Sequence, residues 1–399
     1  MKSMPRLYAG LVLVGLGFGV NAHADSPTCS GANETKLSWP ATDPVWEMCW
    51  VPVDRSVGPQ GSGLELRDIH YNGRLVMRRA HAPLLFAEYK GGAGGDCYRD
   101  WKDEPARILA NTAVQNQLGV APFGQLSLNV CDVSLAPTSF YGTCPYGQTT
   151  PAGSSCFTGV AIEDLGDEVR ISAQYIADWY MYSSRWTFFK DGRIQPYFGF
   201  GNRNGTFNGV THWHHNYWRM EFDIDNAGNQ VVSESGSDKT NEFSALRSLT
   251  GGAEGGARTW EVRNPATGRG YRLVPGSGDY VVPTNDSGRG YHPVDFMATM
   301  QKTNEYGDSQ SNDLFDCQMH ENNLVNNESI ANTRVALYYR VAVRDSTAND
   351  WPPGCSGASC IPQDSMICKN TGPMLVPFGD WSDYIHVSGN EGPINGVSP

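Results

Sequence analysis

Residues 211–225, which read THWHHNYWRMEFDID, hold the densest set of side chains capable of chemistry in the chain. If this segment forms a β-strand, residues two positions apart lie on the same face of it. His212 and His214 would then share a face and could bind one metal ion, while His215 would point away. Imidazole pairs suit copper, zinc, iron or nickel. The alternative is that both histidines are hydrogen-bonded members of an aromatic core.

The same segment resembles the copper-containing amine oxidases, in which a Thr-His-x-His motif leads into Arg-Leu-Asp-x-x-x-Asp-Gly on a strand. Other motifs of that family have counterparts here in the same order. They are Trp50-Val51-Pro52-Val53-Asp54, residues 63–71, Gly73-Arg74, Phe86-Ala87-Glu88-Tyr89, residues 170–192, residues 327–333 and Asp350-Trp351-Pro352. The resemblance covers residues 46–380. It implies the catalytic domain without the accessory domains, a large β-sandwich, a homodimer, and amine oxidation by O₂.

The resemblance also implies a quinone precursor. The family makes topaquinone, with copper and O₂, from the first tyrosine of Asn-Tyr-Asp/Glu-Tyr. The matching residues here are Trp179-Tyr180-Met181-Tyr182, so Tyr180 matches the precursor and Tyr182 the second tyrosine. Trp179 and Met181 replace the residues that flank the precursor in the family. The alternative is that Tyr180 is a core residue of a buried strand.

The motifs of the family give more than one position for the third metal ligand. The family has a His a few residues before Asp/Glu-Trp-Pro, and this chain has none there. Counting back from the Asp-Trp-Pro motif reaches Arg344, whereas counting forward from the Asn-x-Ser motif reaches Asp345. Asp345 would complete a two-His-one-carboxylate set, which favours iron, manganese or zinc as readily as copper. Arg344 would repel a metal, and His320 or His386 could also complete the set.

The family's catalytic base is an Asp that follows a tyrosine matched here by Tyr89. Counting from Tyr89 reaches Asp103, whereas the acidic residues that follow the base in the family favour Asp100. Either carboxylate could remove a proton from the substrate carbon. The alternative for both is a surface carboxylate, and Asp103 could cap a helix.

A peripheral calcium site is implied where the family has Arg-Leu-Asp-x-Asp. Glu221 and Asp223 occupy the acidic positions, and Ca²⁺ prefers such oxygen ligands. The family's later Asp falls near Arg334 in this chain. The alternative is an exposed, charged edge of the strand.

Short β-strands must position all these residues. Residues 63–78 alternate at period two around Asn72-Gly73, which predicts a hairpin. Further strands are predicted at residues 125–130, 169–173, 185–189, 218–224, 230–233, 259–262, 271–274 and 333–343. Helices are predicted at residues 103–118, 244–249 and 292–302. We find no internal repeat or linker, so we predict a mainly β fold in which residues 25–399 form one large antiparallel β-sandwich.

Residues 1–24 are typical of a secretory signal peptide. Lys2 and Arg6 precede an apolar run, and Ala22-His23-Ala24 forms a small-x-small cleavage site. All ten Cys follow this site, and an even number in an exported chain predicts mostly disulfides. The resemblance implies a Cys131–Cys156 disulfide, but the sequence leaves the pairing open. No later segment has the roughly 20 apolar residues of a membrane span. We expect a periplasmic or secreted protein.

The charge balance narrows the partners. Lys and Arg number 30 against 42 Asp and Glu, a net charge of −12. This disfavours nucleic acid, whose phosphates need basic partners, and could steer a cationic small-molecule substrate. Three functions stay open: a metal-dependent oxidase, a non-quinone oxygenase, hydrolase or isomerase that uses His212, His214 and Asp345, and a non-catalytic binding protein.

Overall fold

Nearly all the regular secondary structure in the described part of the chain is β-strand. The computed structural model describes residues 26–51, 56–57, 64–89, 97–99, 107–111, 154–157, 161–177, 180–202, 212–246, 258–276, 279, 294–303, 305, 324–345, 366–368 and 372–382. Two large antiparallel sheets pack against each other, which confirms the predicted β-sandwich. No described helix has the length and apolar character needed to cross a membrane.

Nine of the described strands form the first sheet. They are β1 (Thr35–Trp39), β2 (Trp46–Val51), β3 (Glu65–Tyr71), β4 (Arg74–Tyr89), β5 (Cys97–Arg99), β12 (His212–Phe222), β15 (Phe243–Ala245), β18 (Phe296–Met300) and β19 (Val335–Asp345). Their order is β1-β2-β3-β4-β12-β19-β18-β15, and β5 pairs with β4. Strand β12, which contains the candidate metal ligands His212 and His214, is therefore central and has a long partner strand on each side.

Twelve strands of the described part of the chain form the second sheet. They are β6 (Arg107–Asn111), β7 (Ser154–Phe157), β8 (Ala161–Asp164), β9 (Glu168–Ala177), β10 (Tyr180–Phe189), β11 (Ile194–Asn202), β13 (Val231–Glu234), β14 (Ser237–Lys239), β16 (Trp260–Arg263), β17 (Gly270–Val274), β20 (Met366–Cys368) and β21 (Met374–Phe378). Their order is β14-β13-β16-β17-β21-β11-β10-β9-β6-β7, with β20 on β11 and β8 on β9.

An aromatic core fills the space between the sheets. Trp186 of β10 and Trp218 of β12 meet edge to face with ring centroids 5.0 Å apart. Trp260 stacks on Phe296 at 4.1 Å. The two sheets are also joined by a hydrogen bond of 2.7 Å from the Trp46 indole to the carbonyl of Phe189. Large rings at alternate positions of facing strands thus fix how the sheets lie against each other.

The predicted hairpin and most predicted strands are confirmed. Asn72 and Gly73 both have positive φ, 47° and 68°, as a type I′ turn between β3 and β4 requires. The predicted segments at 169–173, 185–189, 218–224, 230–233, 259–262, 271–274 and 333–343 fall largely within β9, β10, β12, β13, β16, β17 and β19. The segment at 125–130 lies outside the described residues.

The three predicted helices are wrong in their described parts. Residues 107–111 form β6, which pairs with β7 and β9. The second and third segments contribute to β15 and β18, which pair with each other. Pairing with neighbouring strands overrides the helical pattern of these segments.

One disulfide ties the start of the described chain to the first sheet. Cys29 and Cys49 are bonded, with their Cα atoms 5.4 Å apart. Cys156 lies in β7, whereas Cys131 lies outside the described residues, so their pairing stays a prediction. Residues 1–24 also lie outside them.

Gly192 closes the turn between β10 and β11 against the aromatic core. It has φ +89°, and a Cβ added to it would lie 2.7 Å from the ring of Tyr71. Gly166, in the turn between β8 and β9, has nearly the same φ of +86° but no atom within 4 Å of such a Cβ. The two glycines thus share a backbone requirement and differ in packing.

We expect Gly192→Ala to destabilise the protein more than Gly166→Ala. Both variants bear the left-handed backbone cost of about 1–2 kcal/mol, and only Gly192→Ala adds an overpacking cost of about 1–3 kcal/mol against Tyr71. Chemical denaturation of both variants measures the difference. Equal losses of stability would contradict the packing of this turn against Tyr71.

Candidate metal centre

The backbone register brings three predicted site residues into one row of the first sheet, which we call the candidate metal row. His212 pairs with Tyr89 of β4 on one side and with Asp345 of β19 on the other. Directly paired residues in antiparallel strands have Cβ atoms about 4.5–5.5 Å apart. Tyr89, His212 and Asp345 are each the first or last residue of their strand, so this row lies at one end of the sheet.

The register also separates the two candidates for the third ligand. Arg344 pairs with Trp213, whereas Asp345 pairs with His212. Because successive residues of a strand alternate between faces, position 345 shares a face with positions 212 and 214, and position 344 belongs to the other face. Two imidazoles and a carboxylate are a donor set that fits copper, iron, manganese or zinc.

His214 is fully buried and is held from the opposite sheet. Its Nδ1 lies 2.9 Å from the hydroxyl oxygen of Tyr182, a fully buried residue of β10. The two rings meet edge to face, and Tyr182 also stacks on Phe198 of β11. A hydrogen bond at one imidazole nitrogen orients the ring and selects the other nitrogen as the metal ligand. Nε2 of His214 is therefore the coordinating candidate.

The two facing strands keep a constant separation in sequence. Tyr182 meets His214 across 32 residues, and Trp186 meets Trp218 across the same separation. Extended by one step of alternation, this offset predicts that position 180 lies opposite position 212. The candidate quinone precursor and the first candidate ligand would then occupy the same end of the sandwich.

The structure describes the predicted site residues to different extents. Asp100, Asp103, His320 and His386 lie outside the described residues, and Tyr180, His212, Asp345 and Tyr89 are described by their backbone positions. Among the side chains that are described, no three His, Cys, Asp or Glu residues form a group able to hold a metal ion.

His215 lies on the opposite face of β12, as its odd position predicts. Its Nδ1 accepts a hydrogen bond of 2.8 Å from the guanidinium of Arg340, which also pairs with Asp295 at 2.6 Å. All three side chains are fully buried. Removing one partner of a buried ion pair is strongly destabilising. These contacts therefore hold β12 and β19 together on the face of the sheet opposite to His212 and His214.

The fold is similar to that of solved copper-containing amine oxidases. A copper-containing benzylamine oxidase from Hansenula polymorpha matches with a TM-score of 0.54 and 15% identity, over 95% of this chain and 63% of that chain. A lysyl oxidase from Pichia pastoris gives 0.48 and 14%, over 84% and 51%, and an Aspergillus nidulans amine oxidase gives 0.49 and 12%, over 95% and 56%. The chain therefore spans less than two thirds of each of these proteins.

At these identities the likeness shows the fold alone. No protein-family model and no curated relative matches the sequence.

The predicted calcium residues are held by arginines instead. The Asp223 carboxylate is fully buried and accepts hydrogen bonds from Arg78 at 3.1 Å and Gly228 N–H at 2.8 Å, and it pairs with Arg334 at 2.9 Å. Glu221 pairs with Arg219 and, at 3.4 Å, with Arg79. Calcium needs six to eight oxygen ligands, and guanidinium groups at these distances repel it. Glu221 and Asp223 therefore do not fit a calcium site.

His81 is buried behind the same strand among these arginines. It pairs in register with Arg219. Burial first, and then the charges of Arg219, Arg79 and Arg67, hold the pKa of His81 well below its usual value. The imidazole is thus neutral in the folded protein at a pH where the unfolded chain binds a proton.

The sequence motifs did not point to the residues that hold the candidate histidines. In the sequence, Tyr182 stands out only as a match to the family's second tyrosine, and no motif marks Arg340 or Asp295. One signal was available for Tyr182. The spacing from Tyr182 to Trp186 equals that from His214 to Trp218, as two aromatic-rich strands facing each other would require.

We expect Asp223→Asn to lower the free energy of unfolding by about 1.5–3 kcal/mol, because two arginines lose a charged partner. The matched control is Asp238→Asn, whose carboxylate pairs with Arg263 at the surface and should cost less than about 1 kcal/mol. Denaturation curves with and without millimolar Ca²⁺ make the measurement. A stabilisation of the wild-type protein by Ca²⁺ would contradict the arginine-filled site.

We expect stability to fall as the pH is lowered from about 7 to 5, with a contribution from His81. Below about 6.5 the unfolded His81 binds a proton that the folded one does not, so the unfolded state is favoured by up to about 1.4 kcal/mol per pH unit. His81→Gln cannot titrate and should flatten this slope. An unchanged slope in denaturation curves across this pH range would disprove the assignment.

Proposed function

We propose that this protein is an exported, metal-dependent oxidase that oxidises a primary amine or a related small molecule with O₂. The observation that carries the proposal is the offset of 32 residues between β10 and β12. This offset predicts that Tyr180 faces His212, so a redox-active tyrosine and a metal ligand would meet at one end of the sandwich. The Cys29–Cys49 disulfide supports an oxidising compartment.

His212, His214 and Asp345 would hold the metal, for which copper is our first candidate. When bound, copper with a quinone formed from Tyr180 supplies two-electron chemistry that converts an amine, O₂ and water into an aldehyde, ammonia and hydrogen peroxide. Tyr182 orients His214 through Nδ1, which keeps Nε2 directed to the metal. Burial of His214 keeps bulk water away from this ligand.

Asp100 or Asp103 would take the proton from the substrate carbon next to the amine nitrogen. A carboxylate close to a cationic substrate both attracts it and can act as a general base. Tyr89 begins the segment that leads to these residues, and its register beside His212 supports a base near the candidate metal row. The acidic net charge of −12 would favour approach of a cationic amine. The homodimer implied by the resemblance stays a prediction.

A second candidate is a metalloenzyme without a quinone, such as an oxygenase, hydrolase or isomerase. The register of Asp345 beside His212 favours it, since two histidines and one carboxylate suit iron, manganese or zinc. Trp179 and Met181, which replace the residues that flank the precursor tyrosine in the family, also favour this candidate over a quinone enzyme. A binding protein without catalytic activity is the third outcome of the test.

The test is metal analysis combined with phenylhydrazine titration and a visible spectrum. It uses protein exported from cells grown with copper. We expect stoichiometric copper and a chromophore that reacts with phenylhydrazine. Metal without a chromophore would shift the assignment to the second candidate. Neither metal nor chromophore would overturn both and leave a binding protein.

Four variants divide the roles. His212→Ala and His214→Ala should lose the metal, and Asp345→Asn should weaken metal affinity. Tyr180→Phe should keep the metal and lose the chromophore. The matched control is Tyr197→Phe on the neighbouring strand β11, where the hydroxyl of this half-buried tyrosine donates a hydrogen bond to Gln195. This control should keep both the metal and the chromophore. Retention of the chromophore in Tyr180→Phe would rule out this tyrosine as its source.

A further inference from the structure

Four buried residues between the sheets carry polar atoms that have no hydrogen-bond partner among the residues that the structure describes. They are the Ser184 hydroxyl, both polar atoms of the Asn216 amide, and the indole N–H groups of Trp186 and Trp218. Each residue is at most 1% exposed. Other buried polar atoms without a hydrogen-bond partner among the described residues lie in other parts of the sandwich, such as the indole N–H groups of Trp39, Trp50 and Trp260. Here five of them come from consecutive inward positions of two facing strands.

The offset between β10 and β12 brings these residues together. Tyr182 meets His214 on one side, and Trp186 meets Trp218 on the other. Positions 184 and 216 lie between these two contacts and point to the same interior, because residues two apart share a face. Ser184 and Asn216 are therefore opposite each other, about 7 Å along the strands from the Tyr182–His214 pair.

The sizes of the side chains predict a space at this level. Facing sheets are about 10 Å apart. The rings of Tyr182, His214, Trp186 and Trp218 fill that distance on either side. A serine and an asparagine are much shorter, and they do not reach each other to form a hydrogen bond. A small space lined by polar groups follows from this mismatch.

The lining defines the chemistry of an occupant. The two indoles and the amide nitrogen donate hydrogen bonds, the amide oxygen accepts one, and the hydroxyl can do either. None of the four residues is charged, so the occupant must be neutral. It must also be small and able to donate and accept. Water meets each condition, and buried waters typically bond two to four such groups.

We propose that Ser184, Asn216, Trp186 and Trp218 form an internal binding site for water beside the Tyr182–His214 pair. The site extends the buried polar groups from the candidate metal row into the centre of the sandwich. It does not depend on the identity of the metal or on the proposed reaction. It accounts for two indole N–H groups that have no hydrogen-bond partner among the described residues, because protein interiors usually pair their buried polar groups.

Nuclear magnetic resonance of the full chain with ¹⁵N-labelled tryptophan tests the proposal. We expect water-to-indole cross-peaks for Trp186 and Trp218, assigned through the single Trp→Phe variants. Trp46 is the internal control, because its indole donates to the carbonyl of Phe189 and should show no such peak. Absence of water cross-peaks at both Trp186 and Trp218 would overturn the proposal.

Two substitutions sharpen the test. Asn216→Leu with Ser184→Ala removes the polar lining while keeping similar shapes, and it should abolish both cross-peaks. The matched control is Ser233→Ala, a buried serine on β13 away from this site, which should leave them unchanged. Persistence of both peaks in the double variant would contradict the assignment of the lining.

A crystal structure of the wild-type protein keeps the proposal testable if the double variant fails to fold. We expect ordered water within hydrogen-bonding distance of Asn216 and of at least one of the two indoles. A direct hydrogen bond between Ser184 and Asn216, with no water at either indole, would overturn the proposal.

Discussion

The contact between β10 and β12 across the sandwich is the constraint on which the candidate site depends. Trp186 against Trp218 and Tyr182 against His214 hold the two strands at one offset. Large aromatic rings cannot slide past one another without opening voids, because a protein interior is close-packed. A shift by one residue would also send each inward side chain of β12 to the outer face. One offset therefore determines which polar residues meet inside.

The candidate metal row gains its rigidity from the position of β12 in the sheet. Long strands flank β12 on both sides, and their register sets the row formed by Tyr89, His212 and Asp345. Because the row lies at strand ends, it combines fixed backbone positions with access from the connecting segments. That combination is common in binding and catalytic sites. The buried pair of Arg340 and Asp295 holds the same strands from the outer face.

The sequence was enough to predict the fold class, but not the contacts that position the two candidate histidines. Period-two alternation and the Asn72-Gly73 turn are local signals, and they predicted the hairpin and most strands. The sequence of strands β15 and β18 predicts helices, because their state depends on pairing with distant residues. The choice between Arg344 and Asp345 likewise needed the register, which one residue of slip reverses. Tyr182 could not be assigned to His214 without knowing that their strands face each other.

The two faces of β12 show why similar residues take different roles. On the outer face of β12, the Glu221 carboxylate contacts guanidinium groups, including that of Arg219. Just beyond the strand, the Asp223 carboxylate also contacts a guanidinium group. The positive charges of these groups balance both carboxylates. On the inner face, His214 meets the neutral hydroxyl of Tyr182. A buried carboxylate that is already paired with arginine gains little from a cation, whereas an imidazole oriented by a neutral partner keeps its affinity for one. The character of the neighbouring side chains, more than the presence of acidic residues, therefore favours ion pairing at Glu221 and Asp223 and leaves His214 as the better candidate for a metal ligand.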